Sequence, residues 1–266
     1  MRLSRCALVA LAACSGSSDA PIDRDASPID GENAIDSASV VDNDGDGLDD
    51  AMETALATDY LPFISLDPND GCKRSGLAVR VRKHPADPTK IVVVYDHLFE
   101  TDCGLNGHTG DNEAFGILID PTKPAPAGIL AIRTASHQNT PCEKITDCTT
   151  CAGDARPKCE LQGGVPVLYA SKDKHGQYAT KCSTLGTCFD TCTLAQTAHR
   201  PPIVNIGEPE GHLVTNLTTQ GFITALNGWT KSELMNVDPW GPGDFGSAGN
   251  VADDFIDPVF VPAPCQ

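Results

Sequence analysis

The chain has 266 residues, room for one large domain or two small ones, and its 40% hydrophobic content is enough to fill a core. A formal net charge of −17 argues against a nucleic-acid partner, whose phosphates would be repelled. Much of the acidic excess lies between Asp19 and Asp59, where Arg24 is the sole basic residue, so the remainder is closer to neutral.

In chain order, the first segment reads as an export signal. Arg2 and Arg5 introduce a short apolar run, Cys6-Ala-Leu-Val-Ala-Leu-Ala-Ala. A membrane span needs about 20 apolar residues, and neither this run nor anything downstream of Ala13 reaches that length. The run ends in Leu11-Ala12-Ala13-Cys14, which resembles the lipobox of bacterial lipoproteins. The resemblance implies cleavage before Cys14, lipid attachment there, and a protein held at a bacterial membrane facing the periplasm or the exterior. The alternative is an ordinary secretory signal with an incidental cysteine. The following polar run to residue 41, without aromatics, cannot bury enough apolar surface to order itself and reads as a tether.

Asp42-Asn-Asp44-Gly-Asp46-Gly47-Leu48-Asp-Asp50-Ala-Met-Glu53 is the most specific motif. Calcium takes six to eight oxygens, and a twelve-residue loop supplies them from positions 1, 3, 5, 7, 9 and 12. Those positions hold Asp42, Asp44, Asp46, the Leu48 carbonyl, Asp50 and Glu53, with Gly47 at the sharp turn. The loop matches the EF-hand pattern and also resembles thrombospondin type 3 and dockerin repeats, since no helix precedes it. A solvated acidic turn is the bland alternative. A helix is expected over residues 48–58, with Leu48, Met52, Ala55 and Leu56 on one face and Pro62 stopping it.

Beyond it the pattern turns to strands. Leu77, Val79 and Val81 alternate, residues 90–99 are rich in β-branched side chains, and 114–119, 128–132, 165–169 and 203–206 are further candidates. Short helices are expected over 218–226 and 231–236. The fold class is therefore mainly β: a disulfide-rich β-sandwich with a few short helices, preceded by the calcium loop and its helix. The expected organisation is a signal peptide (1–13), lipidated cysteine and tether (14–41), calcium loop and helix (42–60) and the disulfide-stapled domain (61–266).

Setting aside Cys6 and Cys14 leaves ten cysteines, an even set that reads as disulfides in an exported chain. The alternative is a zinc site from Cys148-x-x-Cys151 with Cys188-x-x-x-Cys192.

Gly107-His108-Thr-Gly-Asp111-Asn112-Glu113 carries a second constellation. Asp111 and Glu113, two apart, share a face if they lie in a strand, and His108 arrives from the turn before. One histidine and two carboxylates can hold a divalent ion, with Asp102 or Asp96 as a fourth group. The bland reading is a turn histidine and a capping aspartate. This segment resembles the Gly-His-x-x-Asp-x-Glu heptapeptide of the necrosis- and ethylene-inducing-like proteins and the His-x-Gly-Asp-x-Glu motif of their vacuolar-sorting-associated relatives. Ser171-Lys-Asp-Lys-His175-Gly176-Gln-Tyr178 is similar to their later Ser-x-His-Gly-x-Tyr stretch, and Trp240-Gly241 follows in the same order. The resemblance implies a β-sandwich holding a divalent metal, calcium or magnesium, through His108, Asp111, Glu113 and an upstream carboxylate, here Asp102. It also implies kinship with secreted cytolysins that bind sphingolipid headgroups. Asn112 stands where the family has an aromatic residue, and the cysteines crowded between Cys142 and Cys192 are foreign to its plant-toxin branch.

The leading functional reading is an exported lipoprotein presenting a cytolysin-like module for surface, lipid-headgroup or glycan binding. A metal-dependent hydrolase of phosphate or headgroup esters, with His175 assisting, is the competing reading; that role requires His175 within one water of the metal in an open cleft. A structural envelope protein is the third. There is no G-x-S-x-G, and the cysteines look paired, which argues against a serine or cysteine hydrolase.

Overall fold

A computed structural model describes residues 41–42, 45–72, 74–107, 109–137, 141–149, 159–182, 190–192, 197–201 and 203–205. The signal segment, Cys14, the tether as far as residue 40, Asp44, His108, Cys151, Cys188, the helices expected over 218–226 and 231–236, and Trp240-Gly241 lie outside the described residues.

The alternating segment Leu77-Ala-Val-Arg-Val forms the middle of β2 (Arg74–Lys83), and Leu77, Val79 and Val81 are fully buried on one face. It pairs antiparallel with β3 (Ile91–Thr101), which pairs with β4 (Thr109–Ile119), then β5 (Ile129–Ser136) and β6 (Lys144–Thr149). The β-branched run of β3 is buried on both faces: Val93 and Tyr95 on one, Val92 and Val94 on the other. With β11 (Ile203–Asn205) parallel to β2, the larger sheet runs β11-β2-β3-β4-β5-β6. The smaller sheet runs β10 (Thr197–His199), β1 (Phe63–Leu66), β8 (Val165–Ala170), β7 (Leu161–Gln162), and β9 (Gln177–Tyr178) pairs with β8.

The two sheets share one core. Ile64, Leu66 and Leu168 of the smaller sheet cluster with Leu77, Val79, Val93, Phe115, Ile117 and Ile132 of the larger. Tyr95 and Phe115 stack with ring centroids 4.7 Å apart. The expected mainly β, disulfide-rich sandwich is what forms.

The helix α1 spans Asp50–Asp59, and Asp49 caps it by accepting the Ala51 and Met52 N–H groups at 3.1 Å. Its buried face differs from the expected one. Glu53, Ala57 and Tyr60 turn inward with Leu56 half-buried, while Met52 is 43% exposed and Ala55 is also exposed. The rotation follows from two anchors, the buried Glu53 at the loop end and Tyr60, whose hydroxyl donates to the Lys123 carbonyl. At the C-terminus, Arg200 donates to the Thr58 and Asp59 carbonyls at 3.0 Å, supplying the positive charge that the last turn lacks.

Disulfides join Cys72 to Cys103, Cys148 to Cys159 and Cys182 to Cys192. Cys148 and Cys192 are thereby committed to sulfur, so the alternative zinc set is overturned. The Cys182–Cys192 bridge packs with Val167, Tyr169 and Tyr178 of the smaller sheet.

Candidate functional site

The described residues of the acidic loop hold one another through their own hydrogen bonds. Asp42 accepts the Gly45 N–H (2.8 Å) and the Gly47 N–H (3.0 Å), and Asp46 accepts the Leu48 N–H (2.7 Å). Gly47 has φ +84°, the left-handed turn that its position in the motif demands. The Leu48 side chain enters the common core, and Glu53 is 1% exposed, so the loop is tied to the sandwich at its middle and at its C-terminal end. Two cations of β2 lie against it. Arg82 sits 3.5 Å from Asp46, and the Lys83 ammonium donates to the Gly47 carbonyl at 2.8 Å. Of the expected ligands, Asp42, Asp46, Leu48, Asp50 and Glu53 are described; the donor set is all oxygen, as a hard cation requires.

At one end of the sandwich the core becomes polar. Asp111 and Glu113 lie in β4, as the two-residue spacing anticipated, opposite Phe99 and His97 of β3 on the face that further along carries Tyr95 and Phe115. Asp96 pairs with Ala114 and therefore lies on the opposite face, which separates it from the acidic pair. The turn joining β8 to β9 delivers His175, whose Nδ1 lies 2.9 Å from Asp111 Oδ2 and whose Nε2 lies 3.4 Å from Asp70 Oδ2. The imidazole is fully buried and stacks on Phe99, with 3.6 Å between centroids and 3° between planes.

That turn is held by both neighbouring loops. Asp173 donates its N–H to Asp70 Oδ2 at 3.1 Å, and its carbonyl accepts the Cys103 and Gly104 N–H groups. The Cys72–Cys103 disulfide ties the same two loops together. Asp173 (φ +61°) and His175 (φ +59°) both occupy the left-handed region, which costs a non-glycine residue on the order of 1–3 kcal/mol and persists only where the surroundings impose it. Asp102 is already occupied: one oxygen accepts the Gly104 N–H at 2.7 Å, and the other faces Lys174 Nζ at 2.7 Å.

A second group adjoins the first. His137 Nε2 lies 2.6 Å from Asp190 Oδ2, and the Tyr178 hydroxyl donates to the same carboxylate. Asp70, Asp102, Asp111, Glu113 and Asp190 thus gather with Lys174, His175 and His137.

The electrostatics follow from this crowding. Burial, reinforced by Asp111, Asp190, Asp96 and Asp102, pushes the Glu113 carboxyl well above the usual carboxylate range. Among the described residues, its Oε2 is buried with no hydrogen-bond partner. Burial alone would lower the His175 pKa, but Asp111 and Asp70 outweigh it and carry it up to about 9. Burial likewise opposes ionisation of Asp70 and Asp190, yet the close His175 imidazole and backbone N–H groups at the first, and hydrogen bonds from His137 and Tyr178 at the second, leave both below the usual range. Asp111 and Asp70 thus favour the proton-holding form of this buried ring, which does not suit the assisting role in hydrolysis raised from sequence.

Beside this end opens a cleft of about 370 Å³, bordered by Leu66, Asp67, Asp70, Cys72, Phe99 and His199. Sequence reasoning named Asp111, Glu113, Asp102 and His175 but not Asp70, His137 or Asp190. A signal was present: Asp70, Asp102 and Asp190 each precede a half-cystine by one or two residues, at Cys72, Cys103 and Cys192.

No protein-family model matches the chain, and no curated protein does. Among solved structures, one described as "Toxin fold for microbial attack and plant defense" aligns at 16% identity and TM-score 0.36, over 59% of this chain and 74% of that one. "NLPPya in complex with glucosamine" aligns at 15% identity and TM-score 0.37, and "NLPPya in complex with mannosamine" at 14% and 0.36. Each of these covers 66% of this chain and 82% of the other.

Proposed function

We propose that this protein is an exported, lipid-anchored binding module with two sites for hard cations. One is the loop from Asp42 to Glu53, which braces the junction between tether and sandwich. The other is the polar end of the sandwich, where Asp111 and Glu113, with His108, would hold a divalent ion beside the cleft. The observation that carries this reading is Glu113, a carboxyl raised by burial and then by its acidic neighbours, with one oxygen lacking a partner among the described residues. A bound divalent cation would supply the positive charge needed to ionise that group.

The fit is specific to certain residues. Asp111 and Glu113 share one face of β4, whereas the buried Asp102 is already paired with Lys174. His175 holds Asp111 from behind, with Phe99 fixing the plane of the ring. The cleft, with Asp67 and Asp70 on its border, suits the hydroxyl groups of a sugar or a polyol lipid headgroup. Surface or headgroup binding explains this arrangement without a reacting group, and the charged state of His175 weighs against the hydrolase reading.

The test removes His108 and Asp111 together by alanine substitution in a chain whose acidic loop is disabled by Asp42→Ala and Glu53→Gln. Elemental analysis should then register the loss of one bound divalent ion per chain. Unchanged stoichiometry would eliminate the sandwich site. A panel of sugars and lipid headgroups, run with and without chelator, separates a cation-dependent binder from a purely structural protein.

A further inference from the structure

The Cys72–Cys103 bridge differs from the other two described disulfides in two respects. Cys148, Cys159, Cys182 and Cys192 are all at most 9% exposed, whereas Cys103 is exposed and Cys72 half-buried on the border of the cleft. Cys72 is also the one described half-cystine beside a histidine and a carboxylate. Its Sγ, a carboxylate oxygen of Asp70 and a ring nitrogen of His175 all lie within 4.8 Å of one another.

In the oxidised protein that sulfur has no charge to offer a cation, and His175 serves instead as counter-ion to Asp70 and Asp111. Reduction changes the chemistry of the same three atoms. A thiolate, an imidazole and a carboxylate at this spacing are a ligand set for a borderline-soft ion such as zinc, whose bonds of about 2.0–2.3 Å require donors somewhat closer together. Loss of the crosslink between the 70–72 and 102–104 segments supplies the freedom for that contraction. The cleft beside Cys72 and Asp70 leaves a coordination position open to solvent or to a ligand.

We propose that the Cys72–Cys103 disulfide masks a thiolate–imidazole–carboxylate zinc site formed by Cys72, His175 and Asp70, which a dithiol reductant uncovers. The balance is that of thiol–disulfide exchange: the dithiol supplies two electrons and becomes a disulfide, the Cys72–Cys103 bond breaks, and both cysteines leave as thiols. Zinc binding then displaces the Cys72 thiol proton and takes the Nε2 lone pair of the neutral His175 ring. The site differs from the hard-cation sites proposed above in needing sulfur, so the two proposals fail independently.

Cobalt(II) is the probe, because a thiolate ligand gives it a charge-transfer band that oxygen ligands do not. The full-length exported protein is treated with limiting dithiol, and alkylation with mass spectrometry identifies which cysteines opened. The expected result is labelling of Cys72 and Cys103 ahead of the four buried half-cystines, followed by one cobalt bound per chain with the charge-transfer band, displaced by zinc. Cys103→Ser should show the same band without reductant, and adding His175→Ala should weaken cobalt binding at least tenfold. The idea is overturned if wild-type protein opened at Cys72 and Cys103, still folded by circular dichroism, shows no such band. It is equally overturned if the buried bridges open first, or if the band survives loss of His175 at full strength.

Discussion

Raising the pH through the alkaline range should loosen the sandwich by an amount that His175 sets. The His175 pKa is carried from the ordinary 6.5 up to about 9 by Asp111 and Asp70. For a group raised in the folded state, the stabilisation is complete below the unfolded value and is lost as pH climbs through the folded one. A change of that size corresponds to about 3 kcal/mol, taken at roughly 1.4 kcal/mol per tenfold change in proton affinity. The assay is denaturant unfolding between pH 6 and 10 in chelator, comparing wild type with His175→Gln. His137, which Asp190 also raises, titrates in both proteins, so the difference isolates His175. Wild type should lose on the order of 3 kcal/mol more than the variant across this window. Parallel curves, or an imidazole ¹⁵N resonance that titrates near 6.5, would refute the assignment of His175 as a buried imidazolium.

Three further outcomes follow. Glu113→Gln should leave the melting temperature in chelator unchanged or higher at pH 7, because burial and acidic neighbours already disfavour the charge, yet abolish stabilisation by magnesium or calcium at the sandwich site. Asp42→Ala should remove the calcium-dependent rise in melting temperature contributed by the acidic loop, whose affinity as a lone extracellular loop should fall at roughly 10⁻⁴–10⁻³ M. Phe115→Ala, which empties a fully buried position and breaks the stack on Tyr95, should cost about 3–5 kcal/mol by chemical denaturation at any calcium concentration.

The large sheet was legible because its strands carry their own pattern. Leu77, Val79 and Val81 alternate, and Ile91–Val94 is a β-branched run, so both appear from local sequence. The smaller sheet was harder to read. β1 is four residues long and pairs with β8 across a hundred positions of sequence, and β7, β9 and β10 are two or three residues each. β6, Lys-Ile-Thr-Asp-Cys-Thr, carries mixed polar positions that a sheet neighbour accommodates and local periodicity does not announce. In α1 the expected stripe through Met52 and Ala55 was displaced because Glu53, polar by type, is buried by its place at the loop end.

The candidate site divides along the same line. Asp111 and Glu113 were readable because two-residue spacing on a strand puts both on one face, whatever surrounds them. Their relation to Asp70, His137 and Asp190 depends on loop closures and crosslinks, which join residues up to about a hundred positions apart and leave no periodic trace.

The central claim, a hard-cation site at the polar end of the sandwich, is tested most directly by calorimetric titration of the Asp42→Ala/Glu53→Gln chain with magnesium and calcium at pH 6.5, in two buffers of different ionisation enthalpy. Binding should ionise Glu113, so the observed heats should differ between buffers by the difference in their ionisation enthalpies for about one proton released, and Glu113→Gln should erase that difference. Absence of any binding heat, or heats that are buffer-independent and insensitive to Glu113, would contradict the claim.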